Sequence, residues 1–197
     1  MKVGILISGG GSNMVALVNA MQAGRVPATP ALVLSNRPGA AGLAKARALG
    51  VPVAIVDHTA FPSRRAFDSG VHRTLRAHHV DMVCLAGFMR ILGRRMVGTW
   101  QGNMLNIHPS LLPKYRGLNT HARAIEAGDT EAGATVHRVT AELDDGPILA
   151  QARVPILSGD TPDTLAARVL KEEHRIYPQA LAQALRERLG MPPEPPI

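Results

Sequence analysis

The sequence predicts an α/β fold with a Rossmann-like mixed sheet, parallel in the amino-terminal half with helices on both faces and more antiparallel in the carboxyl-terminal half. Three observations carry that expectation. Short apolar runs alternate with helix-spaced patterns over residues 2–86, the rhythm of βαβ units and a parallel sheet. The first run, residues 2–8, breaks into Gly9-Gly10-Gly11-Ser12-Asn13 before a helical spacing of Met14, Leu17, Val18 and Met21, so a strand feeds a helix through a glycine loop. Past residue 130, two strand-like runs flank one turn, Glu142-Leu143-Asp144-Asp145-Gly146-Pro147, as an antiparallel pair does.

In order, the second strand spans residues 31–35 and ends in Asn36-Arg37-Pro38-Gly39, a turn by composition. A helix at 40–49, a strand at 53–56, a helix at 63–79 and a strand at 82–86 continue the alternation. Gly87-Phe88-Met89-Arg90-Ile91-Leu92 then leaves the fourth strand with large apolar residues around one arginine, before a short helix at 94–100. Such a segment serves either as core or as the wall of a flat, partly apolar ligand. A strand at 104–108, a helix at 119–127 and strands at 132–140 and 148–154 follow. The last helix, residues 162–189, contains Pro178, which predicts a kink or a division there.

A chain of 197 residues with 46% apolar content suits one well-buried domain, placed at residues 1–190 with a disordered Pro-rich tail at 191–197. No apolar run approaches the ~20 residues of a membrane span. Met1-Lys2 leads into a strand rather than a signal sequence, so a cytoplasmic protein without a membrane partner is expected. The single cysteine, Cys84, lies in an apolar run, which excludes an internal disulfide and a clustered-cysteine metal site and reads as a buried, inert thiol. The formal charge of +7 and pI near 10.5 call for an anionic partner. The basic residues are scattered, mostly arginine, and there are only one Trp, two Tyr and three Phe, which argues against a nucleic-acid platform.

The chemistry concentrates in Asn106-Ile-His-Pro-Ser-Leu-Leu-Pro-Lys-Tyr-Arg-Gly117. Strand alternation puts Asn106 and His108 on one face and Leu105 and Ile107 on the other, and Pro109 ends the ladder. An amide and an imidazole then sit at a strand's carboxyl end, where open α/β sheets bind ligands. An isolated Asn-x-His serves equally as a turn asparagine beside a satisfied histidine. The glycine loop aims free backbone N–H groups and the positive end of a helix dipole at whatever covers it, which suits a phosphate; a flexible helix cap is the alternative. A dinucleotide fingerprint is excluded because Met14 occupies its third glycine position and the second strand lacks an acidic ribose ligand. No lysine follows the glycines, which excludes a Walker loop.

Taken together, Ile7-Ser-Gly-Gly-Gly-Ser-Asn13, Leu85-Ala-Gly-Phe-Met-Arg-Ile-Leu92, the 106–117 motif and Asp144-Asp-Gly-Pro147 resemble the phosphoribosylglycinamide formyltransferase family of purine biosynthesis. The resemblance runs through nearly the whole chain, with four motifs in the family's order. It implies transfer of a formyl group from 10-formyltetrahydrofolate, as cosubstrate, to the amine of glycinamide ribonucleotide, in a monomer or homodimer that needs no metal. It also implies catalytic roles for Asn106, His108 and Asp144. The ribonucleotide would lie on Gly11, Ser12, Asn13, Pro109, Lys171 and Glu173, and the folate on Arg64, Met89, Arg90, Ile91, Leu92 and Asn106. One position departs: where relatives often carry lysine or glutamine near the phosphate, this chain has Leu170, and Lys171 is turned ~100° from it around a helix.

For such a transfer, Asn106 and His108 would face the charge developing on the formyl oxygen, and Asp144 or a water it orders would take the amine proton. An adjacent carboxylate favours the imidazolium form of the histidine. Four rivals remain. A metal hydrolase would draw on His108, His121 or His137 with Asp144, but no ligand pair has the usual helical spacing. A formyl-folate deformylase would use the same trio with water as nucleophile, and initiator-tRNA formyltransferases share the leucine-proline turn; the chain length favours neither. A basic RNA-binding protein is the alternative from another class.

Overall fold

The computed structural model of the protein describes residues 1–192, and the Pro-rich tail lies outside the described residues from position 193 onward. The strands are β1 (Lys2–Ile7), β2 (Thr29–Ser35), β3 (Val53–Ile55), β4 (Met82–Leu85), β5 (Met104–His108), β6 (Glu131–Arg138) and β7 (Ile148–Pro155). The helices are α1 (Ser12–Gln22), α2 (Gly42–Ala48), α3 (Arg64–Ala77), α4 (Arg94–Thr99), α5 (Thr120–Glu126) and α6 (Pro162–Leu189). A short 3-10 turn at His58–Ala60, capped by the Asp57 carboxylate accepting from the Thr59 N–H at 2.9 Å, had no counterpart in the sequence pattern.

The seven strands form one sheet in the order β3-β2-β1-β4-β5-β6-β7. β1 to β5 pair in parallel, while β6 runs antiparallel to both β5 and β7, as the change in sequence rhythm predicts. The strand order reverses between β1 and β4, so the loops leaving their carboxyl ends diverge and open a crevice. The glycine loop, the 87–92 segment and the end of β5 all meet that edge.

Alternation divides the core into two layers. Val3, Ile5 and Ile7 of β1 pack with α1 and α6 on one face, while Leu6 packs with Leu32, Leu34, Phe67 and Leu75 toward α3 and α4 on the other. The central strands are buried on both faces, which is why they read as continuous apolar runs. Cys84 is buried among them, and burial pushes its thiol up to about 12, as its inert reading requires.

Helix α6 is the deviation from expectation. It passes through Pro178 without dividing. A proline inside a helix removes one backbone bond, but here Leu165, Val169, Ile176, Tyr177, Leu181 and Leu185 are all buried in the α1 layer. At ~1.5–3 kcal/mol per buried apolar side chain, that packing outweighs the proline's cost. Tyr177 is fully buried, and its hydroxyl lies 3.0 Å from the Leu85 carbonyl and 3.2 Å from that of Leu105. It therefore ties α6 to the carboxyl ends of β4 and β5. Tyr177→Phe leaves those carbonyls short of a donor and should lower unfolding stability by about 1–3 kcal/mol, read as a reduced midpoint in urea with an unchanged slope.

Candidate active site

β5 puts Leu105 and Ile107 into the α1 layer and presents Asn106 and His108 on the opposite face. Antiparallel pairing adds two same-face neighbours, since Asn106 lies opposite His137 and His108 opposite Thr135. The ladder to β7 shifts register between Val136 and His137, a local irregularity of the kind that re-aims a side chain.

Asp144 arrives from the β6–β7 connection. It is buried at 8% exposure and holds a left-handed φ of 48°, a conformation aspartate tolerates better than most residues. Gly146, two residues on, must be glycine, because a Cβ there would overlap the Arg138 carbonyl. One Asp144 oxygen accepts the Gly117 N–H at 3.0 Å and lies 3.4 Å from His108 Nδ1. The other lies 3.5 Å from Asn106 Nδ2 and 3.7 Å from His137 Nε2. Burial pushes the Asp144 carboxyl up, but the His137 ring, the Gly117 N–H and the charge of the two histidines more than offset this and hold it below its ordinary value. The neighbouring Asp145 is exposed and pairs with Arg116, so Asp144, not Asp145, faces the trio.

The histidine orientations follow from their partners. His108 Nε2 lies 2.9 Å from the Tyr115 carbonyl, which only accepts, so Nε2 carries a proton. Nδ1 faces the Asp144 carboxylate at 3.4 Å. His137 Nδ1 lies 3.0 Å from the Arg138 carbonyl and donates to it; its Nε2 lies 3.2 Å from Asn106 Nδ2 and 3.7 Å from the Asp144 carboxylate. His137, which the sequence offered only as a metal ligand, is thus part of the polar cluster. Strand alternation marks its parity with Thr135, but only the observed register sets it opposite Asn106. Among the described residues no group of three or more His, Cys, Asp or Glu is arranged to hold a metal ion.

The other residues singled out from the sequence fall into two groups around this cluster. Gly11 caps α1 with φ 69°, and a Cβ on it would come 3.0 Å from the Gly42 Cα, so the position needs glycine for both conformation and contact. The N–H groups at the start of α1 have no intrahelical acceptors. Asn13 does not offer its side-chain amide to the loop's exterior: Nδ2 donates to Glu173 Oε2 at 2.5 Å, tying the loop to α6. Burial pushes the Glu173 carboxyl up, and the Asn13 bond partly counters this. Lys171 is exposed on the same helix and Leu170 is half-buried. Pro109, half-buried after β5, borders a separate cavity of about 290 Å³ that none of Asn106, His108 and Asp144 lines.

The 87–92 segment is pinned at both ends. The Met89 N–H donates to Ser8 Oγ at 2.7 Å, and Ser8 Oγ donates to Asn36 Oδ1 at 2.5 Å. At the far end the Gly93 N–H donates to Asp68 Oδ2 at 2.8 Å. Burial pushes the Asp68 carboxyl up, with the Gly93 bond and the charges of Arg64 and Arg90 opposing it, which puts both arginines about one carboxylate. Between the anchors Met89 and Ile91 are 60% and 62% exposed while Leu92 enters the core. Two large apolar side chains are thus held out from a tethered segment, the form that a ligand-site wall takes. Neither Ser8 nor Asp68 was singled out from the sequence, because each acts through a backbone N–H far along the chain.

At the carboxyl edge of the sheet an amide, an imidazole and a carboxylate therefore converge, with a glycine loop on one side and two exposed apolar side chains on the other. The family model described as "Formyl transferase" matches residues 1–181, and the chain belongs to that family. It is 45% identical over 191 residues to Escherichia coli (strain K12) phosphoribosylglycinamide formyltransferase, covering 97% of this chain and 90% of that protein. It is 46% identical over 195 residues to the Drosophila melanogaster trifunctional purine biosynthetic protein adenosine-3, covering 98% of this chain but only 14% of that much longer protein. Among solved structures, glycinamide ribonucleotide transformylase 1 from Symbiobacterium toebii superposes with a TM-score of 0.93 at 47% identity, covering 95% of this chain and 89% of that one.

The depressed Asp144 carboxyl gives a signed prediction. A carboxylate held below its ordinary value contributes stability that is present above the unfolded-state value, near 4, and is lost as pH falls through the folded-state value. The stability advantage of the wild type over Asp144→Asn should therefore shrink as pH falls below about 5, measured as paired thermal midpoints across pH.

Proposed function

We propose that the protein transfers the formyl group of 10-formyltetrahydrofolate to the amine of glycinamide ribonucleotide; among the relatives above are a phosphoribosylglycinamide formyltransferase and a glycinamide ribonucleotide transformylase. The observation that carries the reading is the convergence of Asn106, His108 and Asp144 within 3.5 Å steps at the crevice between the glycine loop and the exposed Met89–Ile91 wall.

The folate supplies the activated formyl group, and Arg64, Met89, Arg90, Ile91 and Leu92 hold it with the help of the Asn106 amide. Gly11, Ser12 and Asn13 present backbone N–H groups to the ribonucleotide phosphate, with Pro109, Lys171 and Glu173 on its sugar side. The 3.4 to 3.7 Å spacings around Asp144 are longer than made hydrogen bonds. They leave the Asn106 amide and His108 Nδ1–H able to turn toward a carbonyl oxygen placed between them, and donors aimed at developing charge are worth about 3–4 kcal/mol each in related sites. Asp144, ionised and faced by His108, receives the proton that the attacking amine releases, directly or through a water, and His108 passes a proton to the departing nitrogen. Residues 1–190 act as one domain, on small-molecule substrates in the cytoplasm.

The decisive assay follows loss of formyl-folate with and without glycinamide ribonucleotide. Turnover that depends on the amine supports transfer; equal turnover without it would make the protein a deformylase. In that assay Asp144→Asn should cut turnover by at least tenfold and move the alkaline limb of the rate profile to lower pH, while Asp145→Asn keeps a normal profile. A normal Asp144→Asn profile would remove the carboxylate from the mechanism. Ile91→Asp should abolish binding of a folate analogue without changing the circular dichroism spectrum or ribonucleotide affinity, as calorimetry would report.

A further inference from the structure

The glycine loop is flanked by two helices. On one side α6 reaches it through Glu173, bonded to Asn13. The α6 face that meets the loop carries Leu170 one turn before Glu173, so it brings an apolar side chain and a carboxylate but no cation. Lys171 is exposed and turned ~100° away. On the other side the first turn of α2 packs directly against the glycines: the Gly42 N–H donates to the Gly9 carbonyl at 2.9 Å, and Gly42 excludes any side chain at Gly11. One turn further along α2, Lys45 sends its ammonium back to the Gly10 carbonyl at 2.9 Å. Lys45 makes no ion pair among the described residues, so its charge stands beside the loop uncompensated.

We infer that Lys45 is the phosphate-side cation of this chain, supplying from α2 the charge that Leu170 does not supply from α6, with the phosphate monoester of the ribonucleotide as its ligand. The inference rests on the transfer reading above. A phosphate dianion seated on the α1 N–H groups lies close to the Glu173 carboxylate, and a mobile ammonium on the opposite rim balances that repulsion. The amine has two free protons beyond the one given to Gly10, so it bonds phosphate oxygen without releasing the loop. As a partly exposed point charge it also steers the anion in, an effect that salt screens.

The test compares Michaelis constants for glycinamide ribonucleotide and for its dephosphorylated riboside at low and high salt. Lys45→Gln should raise the ribonucleotide constant about fivefold at low salt, with a smaller effect at high salt and none on the riboside or the folate. Lys45→Arg should stay near wild type, and Leu170→Lys added to Lys45→Gln should recover most of the loss. A ribonucleotide constant unchanged in Lys45→Gln, or an equal loss with the riboside, overturns the assignment while amine-dependent turnover of the wild type stands. Wild-type turnover that ignores the amine overturns the transfer reading and this inference with it.

Discussion

The arrangement of the site depends on keeping a carboxylate ionised where water scarcely reaches. Asp144 is 8% exposed, and a charge so placed is tolerable only if donors surround it. The Gly117 N–H from the loop after β5 and the Asn106 amide from β5 donate to it, and the rings of His108 from β5 and His137 from β6 lie 3.4 and 3.7 Å away. The same constraint fixes the surrounding backbone. Gly146 must let the turn press onto the Arg138 carbonyl, and Tyr115 turns its own carbonyl to His108 with a φ of 56°. The Tyr115 ring is in turn held by its hydroxyl donating to Asp129 at 2.8 Å and by the Arg123 guanidinium 5.2 Å from its centroid.

The two halves of the sheet divide the work. The loops leaving the paired parallel strands β1 and β4 diverge at the reversal in strand order and carry the residues proposed to hold ligands. The antiparallel β5–β6–β7 portion supplies rigid, register-locked side chains. Placing reactive groups on paired strands, and binding groups on loops braced by them, limits the positional error of the chemistry.

Much of this was legible in the sequence because period and glycine placement are local signals. The strand–glycine–helix junction, the change from parallel to antiparallel rhythm and the opposed faces of Asn106 and Leu105 all follow from residues within a few positions of one another. Three features were not. His137 needed the β5–β6 register, which alternation alone leaves free by steps of two. Asp68 and Ser8 needed tertiary contacts with Gly93 and Met89 across 25 and 81 positions. Pro178 was read as a kink or a division, and α6 is not divided there: the local cost of a proline is visible in sequence, whereas the burial that overrides it is distributed over the length of the helix. Asn13 was read as a side-chain donor beside the glycine loop, but its amide turns inward to Glu173, a partner 160 residues away.

The hydroxyl of Ser8 has one proton, and the structure commits it to Asn36, leaving its lone pairs for the Met89 N–H. The chain of donors therefore has a single polarity, with no equivalent arrangement to exchange with. With the Gly93 anchor closing the other end, Met89 and Ile91 stand on a fixed jaw and not on a hinged lid. The entropy of ordering that surface falls on folding, not on an encounter with a ligand. Conformational adjustment is then left to the opposite rim, where the proposed phosphate site sets the exposed Lys45 ammonium beside backbone amides.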